Sequence, residues 1–416
     1  MYFCLFLLFV LSMKIWIGWN NLDKIFYSII LFIFISLLLS KKIQLKYSKR
    51  SMIGILCLYC GMSYINKSPF GPQNILITSL FAFVLFIKDI DKVQSMHYIT
   101  KWFAYLMVPS LITYWLVQLH IVSPLGTMIY GLGEDIVFRN PDYCIRQNYI
   151  FYMYAPHFYG IRFNGPFVEP GHLGMMVAFL LFCNKFDFSK KYNIINLIAL
   201  LHTFSLAGYV LAFMGYLMVI LYLGLLKSRT LLLYFLIPFI VITFLYPIAN
   251  DNKYIRELIM ERLEYKKDRG IVGNNRTSDN IINYRDKMLS RDNPELIMNG
   301  YSDKKWDLII EEGKGFKGTG FTVAMVHYGL LGIVAMMLFY FFYLVYSKEK
   351  KFALFALLFV LALFWQRTYP FWFSWIICYT YGIVFIEYEN LKQKYMLFLD
   401  KDFKDENRNN DISSGT

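Results

Sequence analysis

Residues 25–40 read IFYSIILFIFISLLLS, an apolar run with no charge inside it. A helix needs roughly 17–25 apolar residues to cross a bilayer, and a run this close to that length reads as a membrane span. Working outward, similar runs recur along the chain at approximately 2–18, 51–66, 75–88, 102–122, 171–184, 193–208, 209–226, 231–249, 319–346, 352–367 and 371–388. The pair within 193–226 is either two helices joined near Gly208 or one long broken helix. The expectation is an all-α polytopic membrane protein with about 12 transmembrane helices. Composition agrees. The 416 residues are 57% hydrophobic and 19% aromatic, with mean hydropathy +0.43, whereas soluble domains are about 45–50% apolar.

The formal net charge is +13. In a soluble chain this would raise nucleic acid as a partner, but here the cations lie between apolar runs, which suits topology and anionic lipid. No aromatic-plus-basic groove motif for nucleic acid is present. Lys41, Lys42, Lys46, Lys49 and Arg50 follow the second run, and Lys88, Lys92 and Lys101 follow the fourth. Lys185, Lys190, Lys191, Lys227, Arg229, Lys348, Lys350 and Lys351 fall in later loops of the same parity. The intervening short loops hold little beyond Lys24, Lys67 and Arg367. Short cytoplasmic loops collect Lys and Arg, so both termini are expected in the cytoplasm. Two long segments, roughly 123–170 and 249–319, then lie outside within a membrane domain of 1–388, followed by a cytoplasmic tail of 389–416. The second segment shows helical patterning over Ile255–Arg269 and is expected to fold over the membrane surface. Residues Asp400–Thr416 are polar and are expected to be disordered. The first basic residue is Lys14 and no small-residue cleavage site follows, so the first run is expected to stay as a span.

Cysteine and histidine say little. Cys57 and Cys60 form a C-x-x-C inside an apolar run, where small packing residues are the simpler reading, and only Cys144 falls in a long loop. The six His are scattered and no zinc-type spacing occurs, so no metal and no cofactor are expected.

The densest polar cluster is Arg162-Phe163-Asn164-Gly165-Pro166-Phe167-Val168-Glu169-Pro170-Gly171-His172, where the first long segment enters the sixth span. Its prolines and glycines impose an irregular backbone, tolerated at the membrane boundary when it lines a cavity or is buried in protein. Arg162 suits an anionic group through its planar donor fork, and Glu169 suits a base; the bland alternative is an interfacial turn with an Arg–Glu pair. Asn164, Gly165 and His172 belong to the same constellation. In Asn274-Asn275-Arg276-Thr277-Ser278-Asp279 a helix is expected to start near Thr277 or Ser278, an anion site or an ordinary turn. Gly313, Gly315, Gly318 and Gly320 precede His327 in the tenth span without a following G-K-[ST], so this is no nucleotide loop. Ser205-Leu206-Ala207-Gly208-Tyr209 reads as close helix packing.

Taken in order, R-x-x-G-x-F-x-E-P at Arg162–Pro170, the small S-x-x-G break, the N-R-T-S element at Asn275–Ser278 and a glycine-rich return resemble the Wzy-type O-antigen and capsule repeat-unit polymerases. These belong to the O-antigen ligase/polymerase superfamily. The resemblance implies a metal-independent inner-membrane glycosyltransferase acting on undecaprenyl-diphosphate-linked oligosaccharides at the periplasmic face, with a chain-length regulator as an expected partner. It makes Arg162 and Arg276 candidates for the donor diphosphate and Glu169 the candidate that activates the acceptor hydroxyl. Thr277, Ser278 and His327 join Asn164, Gly165 and His172 as candidate substrate contacts. The related ligases carry a His-Asn-type element before the glycines of the returning helix. Gly318–Phe321 has no His, which favours polymerase. A flippase or other transporter is the alternative from a different class. Charge-poor spans and two polar external segments argue against a polar pathway through the bundle.

Overall fold

In a computed structural model, residues 1–19, 22–67, 70–129, 145–155, 161–224, 256, 265–266, 270–271, 279–290, 294–312, 320–367 and 370–392 are described. Helices make up 75% of it. The first half contains α1 (Tyr2–Ser12), α2 (Leu22–Leu39), α3 (Lys49–Asn66), α4 (Pro72–Phe86) and α5 (Asp89–Gln118). A three-stranded antiparallel sheet of β1 (Gly126–Ile129), β2 (Ile145–Asn148) and β3 (Met153–Tyr154) follows. Next come α6 (Pro170–Cys183), α7 (Lys191–His202) and α8 (Leu206–Leu223). The second long segment carries the two-stranded hairpin β4 (Tyr265–Lys266) and β5 (Gly270–Ile271), then α9 (Asp279–Leu289), α10 (Pro294–Asn299) and α11 (Asp303–Glu312). The chain returns through α12 (Gly320–Val345), α13 (Lys350–Gln366) and α14 (373–392).

Among the described residues three helices are long and apolar enough to cross a membrane, Leu22–Leu39, Leu206–Leu223 and Gly320–Val345, and α1, α4 and α6 are shorter apolar helices. Outward-facing positions are apolar too: Phe32 is 71% exposed and Trp365 54%. Contiguous apolar surface of this kind needs a covering, and lipid supplies one. The chain is thus an all-α membrane protein in class, and among the described residues its small sheets lie in the two long segments between apolar helices.

Local chemistry sets the helix ends. Ser48 accepts from the Ser51 N–H and Ser205 from the Gly208 N–H, capping α3 and α8. Pro72 and Pro170 open α4 and α6, where a missing N–H costs nothing. The 193–226 pair resolves into two helices, broken at 203–205 rather than at Gly208. Gly208 instead serves packing: a Cβ there would lie 3.0 Å from the backbone of Gly174, so α6 and α8 cross in near contact.

Two expectations need correction. Helix α5 begins at Asp89, well before the expected 102, because Asp89 and Asp91 suit the first turn while Met96, Ile99 and Phe103 are buried in the core. The helical patterning over Ile255–Arg269 fails at its end, where Tyr265–Lys266 pairs with Gly270–Ile271 as a hairpin; most of that stretch, and the span expected at 231–249, lie outside the described residues.

The helices share two ends. α3 and α12 run antiparallel: Arg50 sits over the Tyr343 ring at 4.8 Å, and Tyr64 donates to the Tyr328 carbonyl at 3.5 Å. At one end Arg50 donates to both Glu387 oxygens at 2.9 and 3.0 Å. There Glu387 also accepts from Ser347 Oγ and the Lys348 N–H, each at 2.8 Å. Lys92 pairs with Asp89 at 3.2 Å and Lys185 with Glu389 at 2.6 Å. At the other end lie the loop 161–170, Arg367 and the first turns of α12, onto which α9 and α11 pack through Ile281, Trp306, Ile309, Val323 and Val326.

Candidate functional site

The loop 161–170 is held from three sides. The Tyr114 hydroxyl of α5 donates to the Ile161 carbonyl at 2.6 Å, and the Phe163 N–H donates to the His202 carbonyl at 2.9 Å. The Trp16 N–H donates to the Pro166 carbonyl at 3.1 Å, and Ile15 pairs with Phe167. Phe163 and Phe167 are fully buried; Phe163 packs edge-on to Tyr114, and Phe167 stacks on Phe103. Gly165 has φ +56°, a left-handed conformation that glycine enters without steric cost. Its carbonyl accepts from the Met153 N–H at 2.9 Å, joining the loop to β3.

This framework aims the charged groups. Arg162 Nε donates to the Thr203 carbonyl at 3.2 Å, at the break between α7 and α8. Tyr152, whose hydroxyl reaches the Arg162 carbonyl at 3.4 Å, is buried; burial, with Tyr114 and Tyr154 nearby, pushes its phenol well above the ordinary range. It is a neutral donor at any physiological pH. Glu169 stands at the N-cap of α6, but its side chain makes no capping bond. Its carboxylate accepts instead from Arg367, the residue that ends α13. His172 Nε2 is 3.6 Å from the same carboxylate oxygen, and its ring stands edge-on to Trp372 at 4.9 Å. A Cβ on Gly320 would lie 2.1 Å from the Arg367 carbonyl, so only glycine lets α12 start there. The site thus joins a carboxylate, an imidazole and the Arg367 guanidinium beside the N-terminus of α6, whose partial positive charge favours anions.

The expected residues fare differently. Glu169 and His172 sit together at one end of the helices, and Arg162 belongs to the same loop, with its Nε on the Thr203 carbonyl. The partner of Glu169 is Arg367, which the sequence shows only as an isolated charge in a short outward loop. Asn164, expected to touch substrate, is 1% exposed and spends its amide nitrogen on the Met153 and Phe167 carbonyls. Through that nitrogen it braces the loop. Gly165 is the loop's turn. Arg276, Thr277 and Ser278 lie outside the described residues, and α9 starts at the next residue, Asp279. His327 stacks on Trp306 at 4.5 Å and on Tyr328 at 4.0 Å. It lines a separate cavity of about 530 Å³ with Tyr64, Lys67, Gly300 and Tyr301. No group of three or more His, Cys, Asp or Glu able to hold a metal occurs among the described residues.

Comparison with protein-family models, curated proteins and solved structures gave no match.

Proposed function

We propose that this chain is a repeat-unit polymerase of the bacterial inner membrane, spanning it about 12 times with both termini in the cytoplasm. On this reading it moves a growing glycan from undecaprenyl diphosphate to the next lipid-linked oligosaccharide at the periplasmic face. The observation that carries it is the Glu169, His172 and Arg367 cluster, in and beside the loop that carries Arg162, at the end of the apolar helices remote from the Lys-rich loops. That is where a lipid-borne, anionic substrate presents its headgroup, and the positive-inside rule makes it the outer face.

The chemistry is a single displacement. An acceptor hydroxyl attacks the anomeric carbon of the donor, the bond from that carbon to the diphosphate oxygen breaks, and the proton passes to Glu169. Undecaprenyl diphosphate departs with the bonding pair, so charge develops on its bridging oxygen. Arg162 and Arg367, joined by Arg276 through the family resemblance, stabilise that charge. Preorganised cations are among the strongest contributors to catalysis, typically about 10²–10³-fold each. General-base help from a carboxylate adds about 10²–10⁴-fold. His172 keeps the carboxylate oriented. Because the leaving group is already activated, neither a metal nor a nucleotide site is required by this step.

The test is glycan analysis of a deletion strain complemented with the wild-type gene or Arg162→Ala. Loss of polymerisation leaves one repeat unit on its acceptor. Loss of a ligase leaves no attached glycan, and loss of a flippase traps lipid-linked units in the inner leaflet. Arg162→Ala is expected to give the single-unit phenotype at normal membrane abundance; a normal length distribution removes Arg162 from the site.

A further inference from the structure

A second cavity, of about 240 Å³, opens beside the site between the end of α1, the end of α3, the start of α4 and residues 371–373. We propose that it is a subsite for one carboxylated pyranose of the glycan, next to the reacting unit; the assignment rests on the glycan reading above. Its wall includes Lys14, Asn66, Gln73, Asn74, Tyr27 and Trp372. Carboxamides both donate and accept, which matches sugar hydroxyls, themselves donors and acceptors. Asn66 donates to Asn74, so the two amides are fixed relative to each other, and Asn74 is 3% exposed. Trp372 and Tyr27 offer ring faces on which the C–H face of a pyranose packs. The volume is near the lower bound of small-molecule sites, about 300 Å³, which fits one ring rather than a chain of them.

Position ties the cavity to the chemistry. Trp372 lines it on one side and meets His172 on the other, and His172 lies 3.6 Å from the Glu169 carboxylate. The Trp372 indole and the His172 imidazole therefore connect the cavity to the proposed base. The carboxylate preference comes from Lys14. Its side chain is exposed and has no acidic partner within ion-pair distance among the described residues. Its backbone is pinned at φ 61°, with the Trp19 indole donating to its carbonyl at 2.9 Å. The other polar wall residues named are neutral, so this cation makes the cavity complementary to one negative charge.

Saturation-transfer NMR on the full chain in nanodiscs tests this, with methyl glucuronide, galacturonide and mannuronide, their neutral parent glycosides and inorganic phosphate as probes. At least one uronide is expected to bind about fivefold or more tighter than its neutral parent, the range of a partly exposed charge-assisted bond. Lys14→Gln is expected to reduce that uronide to the affinity of its parent without lowering the melting temperature, and Trp372→Ala to weaken both. The inference is overturned if no uronide exceeds its parent, if Lys14→Gln leaves uronide binding unchanged, or if phosphate displaces the uronide at equal concentration. A chain that extends glycans but fails these tests loses the subsite alone. A chain that passes them yet extends no lipid-linked unit loses the polymerase reading and keeps the pocket.

Discussion

Glu169 occupies the position where an acidic side chain commonly caps a helix, yet its carboxylate turns to Arg367. The pair is partly buried, with side chains 17% and 21% exposed, so each charge depends on the other. Arg367→Ala is expected to lower chain extension by about 10²-fold, the usual effect of removing one stabilising cation. In vesicles bearing lipid-linked oligosaccharide this reads as slower ladder growth at equal protein; an unchanged rate places Arg367 outside the reaction. The sequence made Arg162 and Glu169 visible, because prolines, glycines and charges at the edge of an apolar run stand out. Arg367 was not legible as a partner, since 198 residues separate it from Glu169 and no local spacing encodes the contact. The bracing part of Asn164 was equally hidden, because its amide nitrogen donates to the Met153 carbonyl 11 residues away.

At the scale of elements, apolar run length read the helices well and their polar extensions badly. Leu22–Leu39 and Gly320–Val345 fall within a few residues of expectation, whereas α5 continues through charged residues for a further turn-rich stretch back to Asp89. A helix of 30 residues is about 45 Å long and outreaches the hydrocarbon layer, so its polar start belongs to the membrane surface. There Arg50, on the first turn of α3, locks α14 through Glu387, with side chains only 11% and 8% exposed. Arg50→Ala strands a buried carboxylate and is expected to destabilise the protein by about 3–5 kcal/mol. Adding Glu387→Gln removes the stranded charge and is expected to recover most of that loss. Thermal melts in detergent decide it: equal stability of Arg50→Ala and wild type means the pair contributes nothing.

For the whole molecule, the two ends carry different chemistry. Lys-rich loops, the Arg50–Glu387 pair and the Lys185–Glu389 pair gather at one, and the Glu169–Arg367 site with both cavities at the other. Charge alternation made this legible from sequence, because each apolar run reverses the chain and the cations keep to one parity. The folding of the first long segment was not legible: β1–β3 arise from pairings across it with no strong alternation. If sidedness is as proposed, a lone cysteine at Lys67 reacts with an impermeant maleimide in intact cells, while one at Lys350 reacts only after permeabilisation. The reverse pattern would turn the site to the cytosol.

The decisive measurement is extension of undecaprenyl-diphosphate-linked oligosaccharide by the purified chain in proteoliposomes, without nucleotide sugar or divalent metal and resolved on a gel. Wild type should build a ladder and release undecaprenyl diphosphate one for one with the units added, while Glu169→Gln should leave single units. An absent ladder with the wild-type chain, or an equal ladder with Glu169→Gln, would contradict a glycan transfer reaction centred on this carboxylate.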